Sequence, residues 1–290
     1  MSFAEQTKQK MRELQRRPIH KLGQNFLIDE AVLKRIIDAA ELTSEDVVEE
    51  IGPGTGILTA ELVQRAQSVV AIEYDAALAE ELSSAVSRPN NLAIIQADAL
   101  KVGQPEIMHA LAGIDQNMPP NKLVANLPYQ IAARALLQTF MQNGSLEHAT
   151  VMVQKEIADR ICAHPVSKQY SAYTVKLSLV AEVSDRFEVA GHCFMPQPRV
   201  DSTVITLKRK HAPQPHQQPF SEQTALMDAT FQLVTAAFAK RRKTLVNALA
   251  ACGYNKEKIE DALIRRGLSP DIRAEALSTD DFLYLAYELS

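Results

Sequence analysis

The chain has 290 residues, of which 46% are hydrophobic and 23% are charged, and this composition is that of an ordinary folded globular protein. It excludes a collagen-like chain, a low-complexity chain and wholesale disorder. The formal net charge of −4 excludes a uniformly basic coat for nucleic acid, so positive charge must be sought in local patches.

Cysteine usage and the lack of long apolar runs indicate the cellular compartment. The three cysteines, Cys162, Cys193 and Cys252, are far apart and form no Cys-x-x-Cys pair, which argues against a disulfide scaffold and a zinc knuckle. The 7 histidines show no metal-ligand spacing, so we expect no metal. The basic N terminus is not followed by the apolar run of a signal peptide, and no window reaches the roughly 18 apolar residues of a membrane span. We expect a cytoplasmic protein, and a monomer rather than an oligomer.

Short apolar runs alternate with longer amphipathic segments from Val47 to Leu207, the pattern of a sheet connected by crossover helices. The predicted strands are Val47–Ile51, Val69–Tyr74, Leu92–Gln96, Leu123–Asn126 and Thr150–Gln154. Helical spacing predicts helices over Leu58–Arg65, Ala76–Val86, Ile131–Gln142 and Ser171–Ala181. The runs Arg186–Val189 and Val204–Lys208 then predict a closing hairpin of the sheet.

A proline-rich segment, His211 to Pro219, has little apolar content and predicts an extended linker. Beyond it, helical spacing covers Thr224–Ala239, Leu245–Ala251, Lys256–Arg266 and Thr279–Leu289. We therefore expect an α/β domain with an N-terminal arm over residues 1–210 and a small all-α domain over residues 211–290.

A glycine-rich turn, Gly52-Pro53-Gly54-Thr55-Gly56, follows the first predicted strand and opens the first helix. A dinucleotide-binding turn would need glycine where Ile57 or Thr59 stands, and no Gly-Lys-Ser/Thr follows as in a P-loop. The turn therefore predicts a ligand that has an adenosine but no pyrophosphate, and the acidic Glu50 before it suits a cation. The alternative is a simple tight connection between strand and helix.

Two acidic residues stand at the ends of the next strands. Glu73 ends the second, where a carboxylate commonly holds ribose hydroxyls. Asp98 follows the third, where a carboxylate can accept a hydrogen bond from an adenine amino group while Ile72 or Leu100 covers the ring. Either carboxylate alone could instead cap the following helix. With the glycine turn, these strand ends converge on one crevice.

The most specific signal is Asn126-Leu127-Pro128-Tyr129, at the end of the fourth predicted strand. The Asn126 side-chain oxygen and the Leu127 backbone carbonyl can accept both hydrogens of an exocyclic amine, and Pro128 fixes the turn that aims them. Tyr129 can stack on an aromatic base. An adenine N6 is a poor nucleophile because its lone pair is delocalised, so its methylation needs acceptors that orient it and stabilise the developing positive charge. A Pro-Tyr turn with a capping Asn is the alternative.

These motifs stand in the order seen in the ribosomal RNA adenine N6,N6-dimethyltransferases. Two further motifs complete the likeness: Gln24-Asn25-Phe26-Leu27, and the segment from Phe194 to Ser202, FMPQPRVDS. Over Lys21 to Leu249 the chain most resembles the bacterial small-subunit members. The resemblance implies a seven-stranded Rossmann-like S-adenosylmethionine-dependent methyltransferase domain followed by a small all-α domain. It also implies dimethylation of two adjacent adenosines near the 3′ end of 16S ribosomal RNA, and a role in small-subunit biogenesis.

The same resemblance implies roles for individual residues. Those of the cofactor site would be Asn25 and Leu27 against the cofactor, Gly52 and Gly54 at its methionine part, Glu73 at the ribose and Asp98 at the adenine. Those of the catalytic site would be Asn126, Leu127, Pro128 and Tyr129, with Asn126 serving the cofactor and the target amine alike. Phe194 would face Tyr129 across the target base to form an aromatic slot.

RNA binding must come from local positive charge, because the whole chain is acidic. Lys240-Arg241-Arg242-Lys243 is a run of four basic residues, and the N-terminal arm adds six basic residues against two acidic ones. The predicted partner of the run is 16S ribosomal RNA within the small subunit, and the alternative is a solvated charged face.

Three other functions compete with this reading. A ribosome-assembly factor could bind RNA and cofactor without chemistry, but it would have little physical reason to carry Asn126, Pro128 and Tyr129 together. A nicotinamide-dependent dehydrogenase is disfavoured by the missing glycine. A large-subunit rRNA adenine methylase is the nearest enzyme competitor, and the acidic total charge and helical C-terminal domain favour the small-subunit enzyme instead.

Overall fold

The computed structural model describes residues 2–13, 23–86, 89–210, 220–240 and 242–290. The chain divides into two compact units, one made of Met1–Ala158 and Glu182–Arg209 and the other of Asp159–Ala181 and Lys210–Ser290. The segment 159–181, which the sequence analysis placed in the first domain, is thus grouped with the C-terminal residues. The linker predicted at 211–219 lies outside the described residues, and the domain boundary at residue 210 stays a prediction.

The first unit is built around a β-sheet. In chain order the strands are β1 (Phe26–Leu27), β2 (Val47–Ile51), β3 (Ser68–Glu73), β4 (Leu92–Gln96), β5 (Lys122–Asn126), β6 (His148–Gln154), β7 (Ala181–Val189), β8 (Phe194–Met195) and β9 (Ser202–Arg209). Seven of them form one sheet in the order β4-β3-β2-β5-β6-β9-β7, while β1 and β8 pair separately. Strands β2 to β6 run parallel, and β9 pairs antiparallel with β6. This confirms the five parallel strands and the two closing strands predicted from sequence.

Helices connect these strands. They are α1 (Phe3–Glu13), α2 (Glu30–Ala40), α3 (Ile57–Arg65), α4 (Ala76–Ala85), α5 (Gln104–Ala112), α6 (Ala132–Gln142) and α7 (Lys155–Ile161). Helices α3, α4 and α6 confirm the predicted segments to within one residue at each end. Helices α1, α2, α5 and α7 were not predicted.

Burial explains why the apolar runs form strands. Every residue of β2 and β3 is buried, as expected for parallel strands covered on both faces. The core cluster joins these strands to α2 and α3 through Leu33, Ile36, Val48, Leu62 and Val69. Two carboxylates interrupt this apolar layer, since Glu49 and Glu50 of β2 are only 3% and 1% exposed.

The second unit is helical, with α8 (Ala172–Val180), α9 (Phe220–Phe238), α10 (Leu245–Ala250), α11 (Lys256–Arg265) and α12 (Thr279–Leu289). Ser278 caps α12, because its hydroxyl accepts a hydrogen bond from the Asp281 amide at 3.2 Å. Phe282 and Leu285 are fully buried and anchor α12 in the core of this unit. Among the described helices of the chain, none is long and apolar enough to span a membrane.

Candidate active site

A cavity of about 260 Å³ lies at the carboxyl ends of β2 to β5. The strand order β4-β3-β2-β5 reverses direction between β2 and β5, and ligands of open α/β sheets bind outside that reversal. The glycine turn follows β2, while Asn126 ends β5 and the residues up to Ile131 follow it, so the two motifs meet there. Residues 23–27 complete the wall.

The glycine turn packs tightly against both neighbouring motifs. Gly52 has φ +72°, and a Cβ there would lie 2.8 Å from Cγ of Pro128. Gly54 has φ +60°, and a Cβ there would lie 2.9 Å from the Phe26 ring. Left-handed backbone and such close approach both require glycine. The turn is therefore more than a short connection, because its shape sets the walls of the cavity.

The cavity is acidic. Glu50, Glu73 and Asp98 line it, and its described lining residues include neither lysine nor arginine. Burial raises the pKa of Glu50 to about 8, with the nearby Glu73 adding to the effect, while the Thr59 hydroxyl donates to Glu50 Oε2 at 2.7 Å. Such a lining favours a cationic ligand and opposes a phosphate.

Glu73 is fixed at the end of β3. Its Oε2 accepts a hydrogen bond from the Gly54 amide at 3.1 Å, and its Oε1 accepts one from the Asp75 amide at 2.8 Å. Burial raises the pKa of this carboxyl, while the two amide donors oppose that rise. Each oxygen keeps a second lone pair for a ligand hydroxyl. Glu73 therefore holds the glycine turn in place and can also accept from a ribose.

Asp98 follows β4 on the same wall. One oxygen, Oδ1, accepts a hydrogen bond from the Leu100 amide at 3.0 Å, so Asp98 does cap the backbone of the turn that follows it. Asp98 also lines the cavity, where Oδ2 remains as an acceptor. Of the two residues predicted to cover an adenine ring, Ile72 lies on the cavity wall and Leu100 is not among its lining residues.

A hydrogen bond to the N-terminal segment orients Asn126. Its Nδ2 donates to the backbone carbonyl of Asn25 at 3.0 Å, which leaves Oδ1 as the exposed acceptor of the amide. The Leu127 amide donates to the Met152 carbonyl at 3.1 Å and so extends the β5–β6 pairing by one residue. Within the described part of the chain, neither Asn126 Oδ1 nor the Leu127 carbonyl receives a hydrogen bond. Both residues line the cavity, so these two acceptors are available to a ligand there.

Pro128 and Tyr129 complete this corner. The Pro128 carbonyl accepts from the Ile131 and Ala132 amides, both at 3.0 Å, and so starts α6. The Tyr129 hydroxyl lies 2.6 Å from Oγ of Ser202, which is the first residue of β9. This bond connects the Asn-Leu-Pro-Tyr motif to the end of the FMPQPRVDS motif.

Phe194 does not line the cavity. It is 3% exposed and belongs to the core cluster, because β8 pairs antiparallel with β1 and sets Phe194 opposite Leu27. Its place in an aromatic slot with Tyr129 stays a prediction.

Comparison with known proteins identifies the family. A family model described as ribosomal RNA adenine dimethylase matches residues 17–290. The chain belongs to the ribosomal RNA adenine dimethylase family. It is 39% identical, over 90% of both chains, to a ribosomal RNA small subunit methyltransferase A of Clostridium botulinum. A solved dimethyladenosine transferase from Plasmodium falciparum has TM-score 0.71 and 26% identity, over 90% of this chain and 95% of that one. The solved 23S rRNA methyltransferase ErmE has TM-score 0.64 and 26% identity, over 91% and 99%.

This dimethylase is therefore an S-adenosylmethionine-dependent methyltransferase, as the sequence motifs indicate. The cavity fits that cofactor. S-adenosylmethionine carries a sulfonium and an ammonium against one carboxylate and has no phosphate, so it brings a net positive charge to a described lining with three carboxylates and no basic side chain. Gly52 and Gly54 line the cavity and present only backbone to a ligand.

The predicted RNA-binding run lies in the second unit of the dimethylase. Lys240, Arg242 and Lys243 are exposed, and among the described residues none of the three has an ion-pair partner, whereas Arg241 lies outside the described residues. In the N-terminal arm, Lys10 pairs with Glu81 at 2.9 Å, while Arg16, Arg17 and Lys21 lie outside the described residues. The described residues contain no cluster of metal-ligating side chains.

Two residues at or beside this site were not predicted from the sequence. Tyr74 lines the cavity and is 58% exposed, and its signal was an aromatic residue directly after Glu73. Ser202 is fully buried, and its signal was its place at the end of the FMPQPRVDS motif. Its partner Tyr129 is distant in sequence, so only the fold brings the two together.

Proposed function

We propose that this dimethylase methylates N6 of two adjacent adenosines near the 3′ end of 16S ribosomal RNA in the small subunit. This activity would give N6,N6-dimethyladenosines during small-subunit biogenesis in the cytoplasm. The observation that carries the proposal is the pair of available acceptors at the cavity, Asn126 Oδ1 and the Leu127 carbonyl, whose residues are fixed by the Asn126 amide bond to Asn25 and the Leu127 amide bond to Met152. The 39% identity to a small subunit methyltransferase supports the choice of ribosomal subunit.

The two acceptors suit one exocyclic amine. An N6 amino group has two hydrogens, and acceptance of both would turn its lone pair out of conjugation with the ring. The developing positive charge on nitrogen would then be stabilised by the same two oxygens, which the Asn25 contact and the β5–β6 pairing hold before reaction. A base that must first remove a proton is not required, because the proton is released from a cationic product.

The cofactor site follows from the same geometry. Asn25, Leu27, Gly52, Gly54, Glu73 and Asp98 all line the cavity and would hold S-adenosylmethionine. When bound, this cofactor supplies an electrophilic methyl group on sulfur. Glu73 would accept from the ribose hydroxyls and Asp98 from the adenine amine, as their free lone pairs allow. Glu50 also lines the cavity, and because burial raises its pKa to about 8, its carboxyl is mostly neutral at pH 7 and the attraction for the cation comes from the other carboxylates.

RNA would be held elsewhere on the chain. The exposed basic residues Lys240, Arg242 and Lys243, with Arg241, would contact phosphates, which makes binding salt-dependent. The target base would leave its helix to reach the cavity and stack on Tyr129. We also propose that the boundary near residue 210 separates the methyltransferase domain from the helical C-terminal domain.

A large-subunit adenine methylase is the competing proposal. The experiment includes it because the fold is similar to that of ErmE. Purified protein would be incubated with methyl-labelled S-adenosylmethionine and either small subunits lacking these methyl groups or large subunits. Nucleoside analysis should find N6,N6-dimethyladenosine in small subunits only. Labelled large subunits would favour the competitor. Binding to small subunits without transfer would favour a non-catalytic assembly factor.

A further inference from the structure

The hydroxyls of Tyr129, which is half-buried, and Ser202, which is buried, are in contact beside the cavity. Their oxygens lie 2.6 Å apart, a short distance for two hydroxyls. Ser202 is the last residue of the FMPQPRVDS motif. Phe194, the aromatic residue of this motif, is buried in the core cluster and does not line the cavity. The hydroxyl of Ser202 is thus the part of the motif that contacts Tyr129.

Ser202 is a rigid anchor. It is 0% exposed and stands at the start of β9, opposite Gln154 of β6. The Lys155 amide donates to the Asp201 carbonyl at 3.0 Å and so continues the pairing of the two strands past this point. A serine on a paired, buried strand has little freedom to move, so its oxygen marks a fixed position.

Tyr129 has more freedom without that anchor. It stands in the turn between β5 and α6, outside both elements, and its ring can rotate about two side-chain bonds. In the described part of the chain, Ser202 is the partner of its hydroxyl. Burial raises the pKa of this phenol, so it stays neutral and keeps its proton for the contact.

We propose that Ser202 is a positioning residue of this dimethylase, which holds the Tyr129 ring in the orientation that receives the target base. The inference deepens the proposed function and rests on it. In the proposed arrangement, Ser202 touches neither the target base nor the cofactor. Its loss should therefore lower methyl transfer from a bound complex and leave cofactor affinity unchanged.

The test compares Ser202→Ala, Tyr129→Phe and the double variant with the parent protein. The single-turnover rate of methyl transfer is measured at saturating S-adenosylmethionine and small subunits, and cofactor affinity by calorimetry. Each single variant should transfer about 3- to 10-fold more slowly, the range of one neutral hydrogen bond. Tyr129→Phe keeps the ring and so tests the contact even if Ser202→Ala folds poorly.

Non-additivity separates positioning from a general packing defect. In the Tyr129→Phe background, Ser202→Ala should cause no further loss, because the contact is already gone. Ser184→Ala is the matched control, since this serine donates to the Thr206 carbonyl at 3.2 Å on the same sheet away from the cavity. Its transfer rate should equal that of the parent.

Three results would overturn the inference. One is a normal rate for both single variants while the parent makes dimethyladenosine. Another is additive losses in the double variant, and a third is a cofactor affinity that falls with the rate. An inactive parent protein would instead refute the proposed function, so the two failures are distinguishable.

Discussion

Substitution of Gly52 by alanine tests whether the glycine turn shapes the catalytic corner. A Cβ at this position would lie 2.8 Å from Cγ and 3.0 Å from Cδ of Pro128, and a proline ring cannot rotate away. The left-handed backbone, at φ +72°, costs an alanine about 1 to 2 kcal/mol, and overpacking adds about 1 to 3. Alanine also lowers the conformational entropy of the unfolded chain, which offsets about 0.4 to 1 kcal/mol of this destabilisation. The expected loss of unfolding free energy is about 1 to 5 kcal/mol, with a midpoint of about 3 kcal/mol.

Two other glycines provide matched controls. Gly253 has φ +95° but open space around a Cβ, so Gly253→Ala should show only backbone strain, about 1 kcal/mol after the entropic offset. Gly144 has open space and no left-handed backbone, so Gly144→Ala should change unfolding free energy by less than about 1 kcal/mol. The difference between Gly52→Ala and Gly253→Ala therefore measures the contact with Pro128.

The assay is urea unfolding of the three variants, followed by single-turnover methyl transfer. A shift of Pro128 would displace the neighbouring acceptors, and a displacement of about 1 Å can cost about a hundredfold in rate. Gly52→Ala should therefore be the slowest variant by far, with Gly144→Ala at the parent rate. The reasoning would be refuted if Gly52→Ala lost no more stability than Gly253→Ala.

Three further predictions concern charge. Burial raises the pKa of Glu49 from 4.5 to about 7, so the native state keeps a proton that the unfolded chain has lost, and unfolding free energy falls as pH rises through that window. Glu49→Gln should flatten this fall in urea titrations from pH 5 to pH 8, and an unchanged slope would argue against a buried, neutral Glu49. Asp98→Ala should weaken S-adenosylmethionine binding by about 1.5 to 3 kcal/mol in calorimetry, whereas unchanged affinity in a folded variant would remove Asp98 from the cofactor site. Alanine at all four positions of the run Lys240 to Lys243 should lower small-subunit affinity and flatten its salt dependence without affecting cofactor binding, and an unaltered salt slope would mark the run as a solvated face.

The sheet was predictable because its central strands are continuous apolar runs. Leu92–Gln96 and Val47–Ile51 match the structure residue for residue, and the other predicted strands differ by one or two residues at an end, except that Arg186–Val189 misses the first five residues of β7. Parallel strands buried on both faces leave this signal in the sequence itself. The crevice was predictable for the same reason, since the motifs stand at the ends of those strands.

The missed helices had misleading ends. Helix α5 carries Pro105 in its first turn, where proline is tolerated, although in sequence it resembles a break. Helix α2 ends at Glu41 in left-handed conformation, at φ 48°, where a glycine would have signalled the stop. These helix ends therefore lack the residue types that usually signal a helix boundary in a sequence.

Contacts between distant segments could not be predicted. The burial of Phe194 depends on the pairing of β8 with β1, and the Tyr129–Ser202 contact depends on β9 lying beside β6. The grouping of residues 159–181 with the second unit likewise depends on tertiary packing. The family resemblance located the motifs, and the fold decided which side chain of each motif lies at the cavity.

Single-turnover transfer by Asn126→Ala tests the central claim most directly. The variant is compared with the parent at saturating S-adenosylmethionine and small subunits, so that any loss of cofactor affinity does not enter the rate. Removal of one of the two acceptors should slow formation of N6,N6-dimethyladenosine by about a hundredfold to a thousandfold. Mass spectrometry of the product would decide the matter, because near-normal dimethyladenosine formation by this variant would contradict the proposed role of Asn126 and Leu127.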